Sequence, residues 1–323
     1  MPIQFSPYAE ILPPSYDFVF KALLTHPDAK PALISIISAI IERKVVNAEI
    51  RNNELPTMDT EEKNERLDVN CVLEDGDQID IEMQGSELEE PVKGKHINLL
   101  NKSIYYLTDL HSSQKSKGIK YANLVRTYQA TFCSYTVYPQ YKEFITRGAM
   151  RRENGELISD RINLILIELS KLEDLLTTPP DKLSELEAWS IFLRYAPDTR
   201  QNVRVLVNRI IEERGEIAVA GELLIEISQD ERERARVRSR RMYETDLMSN
   251  LLTAEDRGRD EGIVIGEMRG EARGIAIGKT EGISSAIIAA IQARAPQSVI
   301  KSMAKTLGVS NSELQKLMDE YGT

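Results

Sequence analysis

Cysteine, histidine and tryptophan are all scarce in this chain, at two, three and one in 323 residues. Cys71 and Cys133 make no metal-ligand spacing with His26, His96 or His111, so a Cys/His metal cluster is excluded. No nucleophile motif accompanies the histidines, which read as ordinary structural or surface residues. Both cysteines sit in apolar, β-like runs, as expected of buried thiols in a reducing cytoplasm. No uninterrupted run of about eighteen apolar residues occurs, so no membrane span is expected. The first ten residues lack a basic stretch followed by an apolar one, so no secretory signal is expected either. Positive charge is in deficit, with 41 Lys and Arg against 51 Asp and Glu and a net charge of −10. That argues against a broad nucleic-acid-coating surface and leaves room for a local basic groove.

What is present fits a soluble, globular protein of one large domain or two smaller ones, 41% hydrophobic and 28% charged. Ser15 or Asp17 is placed to cap a first helix ending at Leu24, with Phe18, Leu23 and Leu24 inward. Pro27-Asp28 interrupts it, and a very apolar helix follows over 31–42. Residues 45–50 read as a strand and 53–66 as a charged loop. A helical pattern over 93–113 puts Ile97, Leu100, Ile104, Leu107 and Leu110 on one face. Residues 121–138 and 162–169 read as strands, and helices carrying Trp189 and Leu193 follow Pro179-Pro180. Trp189 has core spacing. Helices alternating with strands imply an α/β layer arrangement.

The chemistry concentrates in two short runs, Leu67-Asp68-Val69 and Ile79-Asp80-Ile81-Glu82-Met83-Gln84. Between them Glu74-Asp75-Gly76-Asp77 is a hairpin turn signal, so Asp68 and Glu82 sit on adjacent strands. Alternation puts Asp80, Glu82 and Gln84 on one face and Ile79, Ile81 and Met83 on the other, with Glu82 and Gln84 about 7 Å apart. Two convergent carboxylates suit a hard divalent cation such as Mg²⁺, which polarises phosphate oxygens and helps deprotonate water. On spacing alone, the competing reading is a surface hairpin with one solvated acidic face.

Together with Tyr16-Asp17-Phe18-Val19-Phe20-Lys21 upstream, these runs resemble the PD-(D/E)xK nuclease superfamily. More narrowly, they resemble the recombination-promoting nuclease (Rpn) and transposase family of bacteria. Ile167-Glu168-Leu169-Ser170-Lys171 and the Trp189 helix follow in the same order, and the likeness covers roughly residues 8–200. It implies a restriction-endonuclease-like α/β core, a mixed sheet flanked by helices, with a helical C-terminal extension. It also implies metal-dependent hydrolysis of DNA (Mg²⁺, or another ion such as Mn²⁺ or Ca²⁺), linked to recombination, transposition or defence. Asp68 and Glu82 match its metal ligands and Asp17 the acidic residue of its first helix. Gln84 stands where the wider superfamily has lysine and cannot be a base or a cation. Lys21 and Lys102 are the candidate substrate contacts, Lys102 as a displaced positive charge. Lys115, Lys117, Lys120 and the arginines of 232–241 are further candidates for phosphate. The alternative function is a non-catalytic DNA-binding or oligomerising protein that keeps the fold.

Domain boundaries are expected at 1–200 (nuclease-like), 201–255 (charged helical connector), 256–282 (glycine repeat) and 283–323 (small helical unit). In the repeat, Gly258, Gly262, Gly266, Gly270, Gly274, Gly278 and Gly282 recur every fourth residue. Each interior glycine costs up to about 1 kcal/mol of helix stability relative to alanine, so an isolated helix is disfavoured. Close backbone contact in a homo-oligomer, most simply a dimer, is preferred over a flexible linker. A period above 3.6 favours right-handed supercoiling, and Glu261, Glu267, Glu271 and Glu281 with Arg269, Arg273 and Lys279 can pair between helices. The last residues read as two short helices around Gly308-Val309-Ser310. They are either a weak helix-turn-helix or a small partner-binding or capping unit.

Overall fold

The computed structural model describes residues 4–6, 10–51, 69–85, 95–114 and 120–322, without the side chains of 95–98, 244 and 247. The chain divides into two compact units, Met1–Thr245 and Asp246–Thr323.

The first unit is built on a six-stranded mixed sheet of order β1-β2-β3-β4-β6-β5. Its strands are β1 (Ala48–Ile50), β2 (Val69–Leu73), β3 (Gln78–Gln84), β4 (Thr127–Cys133), β5 (Ile145–Arg151) and β6 (Leu157–Glu168). β2 and β3 form the expected antiparallel hairpin, Val69 opposite Ile81 and Asn70 opposite Asp80. Gly76 turns it with φ +86°, a conformation that costs glycine little, and the Asp75 carboxylate accepts from the Asp77 backbone N–H at 3.1 Å. β3, β4 and β6 are parallel neighbours. A parallel step needs a crossover, and α3 (Lys95–Ser113) supplies the one between β3 and β4. β5, absent from the expected elements, pairs antiparallel with β6. Its mixed polar composition and irregular register hide the strand period.

Two faces result. On one, Ile79, Ile81 and Met83 of β3 join Val69 and Cys71 of β2, Ala130 and Phe132 of β4 and Ile165 and Ile167 of β6. Helices α1 (Asp17–Leu24), α2 (Lys30–Ile41), α4 (Glu185–Tyr195), α5 (Gln201–Glu213) and α6 (Gly215–Gln229) complete that core. α5 and α6, within the stretch expected as a connector, thus belong to the first unit's core. Trp189 is fully buried, and its indole N–H donates to Ser35 Oγ at 3.0 Å. α4 begins with a reciprocal capping box between Ser184 and Glu187.

α1 departs from expectation at its start. Tyr16 is the N-cap, no side chain caps the helix, and Asp17 is its first residue. There its charge favours the positive end of the helix dipole without a capping bond. α3 departs in its buried stripe, because Ile104 is 48% exposed while Leu99, Ser103, Tyr106, Leu107 and Leu110 are buried. The sheet face beneath α3 is partly polar: Ser103 Oγ meets Thr131 Oγ1 at 3.3 Å, so a hydroxyl occupies a position that apolar periodicity gives to its neighbour.

α7 (Glu231–Gln292) begins in the first unit and ends in the second. Contrary to the count of uninterrupted apolar residues, it holds an 18-residue window of mean hydropathy at or above 1.2, apolar enough by length and composition to cross a membrane. Isoleucines and alanines between sparse charges raise the mean, while interspersed glycine, serine and charged residues keep it from being a continuous run. In the second unit, Ile287 and Ile291 pack with Ile300 and Ala304 of α8 (Gln297–Thr306) and Leu314 of α9 (Asn311–Tyr321). Ser310 and Glu313 form a second capping box.

Candidate nuclease site

Strand alternation sends Asp80, Glu82 and Gln84 to the face that α3 crosses, and this face is not solvated. Asp80 is 0% and Glu82 4% exposed, with Asn70, Thr127, Gln129 and Thr131 also buried around them. A solvated acidic hairpin is therefore excluded. Burying carboxylates costs several kcal/mol unless they are paired or bonded, and each here has a partner. Asp80 Oδ2 accepts from Gln129 Nε2 at 2.9 Å. Glu82 Oε2 accepts from Lys102 Nζ at 2.7 Å, and the ammonium stands 5.1 Å from the centre of the Tyr106 ring. Lys102 and Tyr106, four apart on α3, form one cationic arm over the end of β3.

The arm opens onto a cavity of about 240 Å³ lined by Tyr16, Asp17, Glu82, Met83, Gln84, Gly85, Lys102 and Arg240. Four candidate site residues, Asp17, Glu82, Gln84 and Lys102, are thus brought together from α1, β3 and α3. Lys21, the fifth, is half-buried on α1 and is not among the lining residues. Asp68 lies outside the described residues, directly before Val69, which pairs with Ile81. Lys115 and Lys117 also lie outside them.

Two further lining residues show how the cavity is assembled. Gly85 follows Gln84, and a Cβ at Gly85 would lie 2.5 Å from the Ser15 carbonyl oxygen and 3.9 Å from Tyr16 Cα. Only glycine admits that approach. A glycine at the end of a strand was the available signal, yet its partner lies seventy residues away in sequence. The second residue is Arg240, from the arginine run. Within that run Arg234 pairs with Glu10 at 2.8 Å, and Arg236 lies 4.5 Å from the Phe18 ring centre.

Other charged groups on the sheet are structural. Glu168 is fully buried and accepts from the backbone N–H groups of Val137 at 2.6 Å and Tyr138 at 3.0 Å and from Lys171 Nζ at 2.7 Å. Lys171 also donates to the carbonyls of Tyr138 and Glu143. Burial raises the carboxyl pKa of Asp77, against the backbone N–H of Arg126 and the charges of Arg43 and Arg126. Burial and the nearby Asp80 charge push the Cys71 thiol up to about 12, and burial also raises that of Cys133. Both thiols are inert at neutral pH. His111 Nδ1 contacts Thr127 Oγ1 at 2.9 Å, and burial, with Arg161 nearby, lowers its pKa.

The sequence profile of the PD-(D/E)XK nuclease family transposases matches residues 14–254, about three quarters of the chain. The chain belongs to that family. The mixed sheet flanked by helices is its α/β fold, and membership identifies a nuclease-type domain that includes α5, α6 and the start of α7. No curated protein and no solved structure matches the chain.

The donors in the cavity suit a hard cation. Asp17 and Glu82 offer carboxylate oxygens and Gln84 an amide oxygen, with no thiolate or imidazole among the lining residues. Among the described residues no three His, Cys, Asp or Glu side chains form a ready metal cluster.

Proposed function

We propose that this chain is a divalent-metal-dependent DNA endonuclease acting in recombination, transposition or defence. One observation carries the reading: a buried glutamate, Glu82, is held 2.7 Å from Lys102 at a cavity that Asp17 and Gln84 also line. A fully structural ion pair has no need to open onto a polar cleft, whereas a buried carboxylate paired with an ammonium among other convergent polar groups in a cleft is a common active-site arrangement.

In this reading Asp68 and Glu82 hold the metal, Mg²⁺ or another hard ion, with Asp17 beside them. Bound there, a divalent ion supplies Lewis acidity toward the phosphate and acidifies water. Lys102 takes the role of the lysine that Gln84 displaces. Its ammonium has three N–H donors, so while one engages Glu82 a substrate phosphate or the attacking water can compete for the others. Gln84, which cannot accept a proton at neutral pH, orients by its amide.

Supercoiled plasmid with Mg²⁺ tests this directly. Wild type should nick and linearise it, EDTA should stop the reaction, and Asp68→Ala or Glu82→Ala should abolish it with the fold retained. Equal cutting by wild type and both variants overturns the assignment. DNA binding in EDTA without cleavage under any divalent ion would favour the non-catalytic alternative.

Self-association through the glycine ladder is the second part of the proposal. Space beside all seven glycines is open to 4 Å, and Ile263, Val264, Ile265, Met268, Ile275 and Ile277 are exposed along the same stretch. Glycine lets two backbones approach closely, which supports a dimer of ladder helices.

A further inference from the structure

The cavity's lining includes a guanidinium from a part of the chain far from the catalytic motif. We infer that Arg240 is a substrate-phosphate-binding residue of this site, supplied by α7; the inference rests on the nuclease reading above.

Three contacts place it. Val237 is buried in the main core. Arg236 stacks over Phe18 at 4.5 Å, and Phe18 stacks in turn on Tyr16, ring centres 5.8 Å apart and planes 12° apart. Arg234 pairs with Glu10. The opening turns of α7 are thus fastened to the same Tyr16 wall that lines the cavity. Arg240 follows Arg236 by four residues, so it shares that helix face one turn on. The wall then carries two acids, Asp17 and Glu82, and two cations, Lys102 and Arg240.

The two cations are not equivalent. Lys102 is bonded to Glu82 and stands at the carboxylate end. Arg240 is exposed, and a guanidinium offers a planar fork of donors that matches two oxygens of one phosphate. In a chain of net charge −10, a polyanion needs such a local anchor to approach the acids of the site.

The test compares Arg240→Ala and Arg240→Lys with wild type in two measurements: Mg²⁺-dependent plasmid cleavage, and binding of a short duplex oligonucleotide in EDTA across a salt series. Arg240→Ala replaces an exposed helix residue with the best helix former, so the fold is retained and a thermal melt verifies it. Cleavage should fall on the order of 10²-fold, the scale for losing one preorganised charge-stabilising donor. The slope of log K against log salt should become shallower by about 1, and lysine should restore part of both. If wild type cuts and Arg240→Ala matches it in rate and slope, the inference falls while the nuclease reading stands. If nothing cuts but binding shows the Arg240-dependent slope, the phosphate contact stands and the nuclease reading falls. Neither cleavage nor Arg240-dependent binding would overturn both.

Discussion

At the scale of the residue, Lys102 and Gly85 carry the most information. Lys102 meets Glu82 at 2.7 Å, so Lys102→Ala removes a positive charge from the cavity and leaves a buried carboxylate without its ammonium. Under the proposed role, cleavage should fall about 10²- to 10³-fold, chiefly in kcat. A change confined to KM would instead mark Lys102 as a substrate anchor. Gly85 is a steric demand. A methyl group there meets the Ser15 carbonyl at 2.5 Å, and Gly85→Ala should cost about 1–3 kcal/mol, a fall of several degrees in Tm. Because the same contact brings Asp17 beside Glu82, cleavage should fall beyond what the lost stability explains. Asp160 gives a pH signature. Its hydrogen bond from Arg126, at 2.7 Å, holds the carboxyl below its ordinary value. A depressed carboxyl contributes stability above its unfolded pKa of about 3.9 and loses it as pH falls through the folded value. Wild type should therefore exceed Asp160→Asn in stability near pH 6, by under about 1 kcal/mol for so exposed a pair, and melt correspondingly higher. Acid titration toward pH 3 should shrink that gap.

Among the elements, the hairpin and the first two helices were legible because each signal is local. Gly76 sits where the turn needs positive φ, and Ile79, Ile81 and Met83 alternate onto the core face as their spacing requires. The stripe of α3 was misjudged at Ile104 because that helix covers a partly polar face, where Ser103 rather than an aliphatic side chain points inward. β5 was missed because an edge strand needs only one apolar side, and its register against β6 shifts near Met150. The Ser184–Glu187 box at the start of α4 has a measurable consequence. Ser184→Ala removes the cap and should lower stability by about 1 kcal/mol, read as a reduced denaturation midpoint with unchanged m-value.

Over the whole molecule, the glycine repeat is the feature that carries the proposed self-association. All seven glycines in it have open space where a side chain would go. Gly266→Leu with Gly270→Leu would therefore fit an isolated helix and raise its propensity by up to about 1 kcal/mol per site. The same pair would hold two ladder helices apart. Analytical ultracentrifugation should show the full-length wild type as a dimer and the double variant as a monomer. If both sediment as monomers, or both as dimers, the ladder is not the association surface.

What the sequence determined by itself was the chemistry: an acidic hairpin ending in Glu-Met-Gln, an Asp17 helix upstream, a lysine to spare on the following helix, and the order that marks the family. Those properties are local, encoded by period, turn residues and side-chain type within a few positions. Only the tertiary structure decided that the acidic face is buried and that Lys102 reaches Glu82. It also brought Ser15 against Gly85 and put an arginine from residue 240 into a cavity formed around residue 82. Each of those depends on elements meeting across long sequence separations. Such meetings are set by which apolar faces pack together, and no short motif contains them.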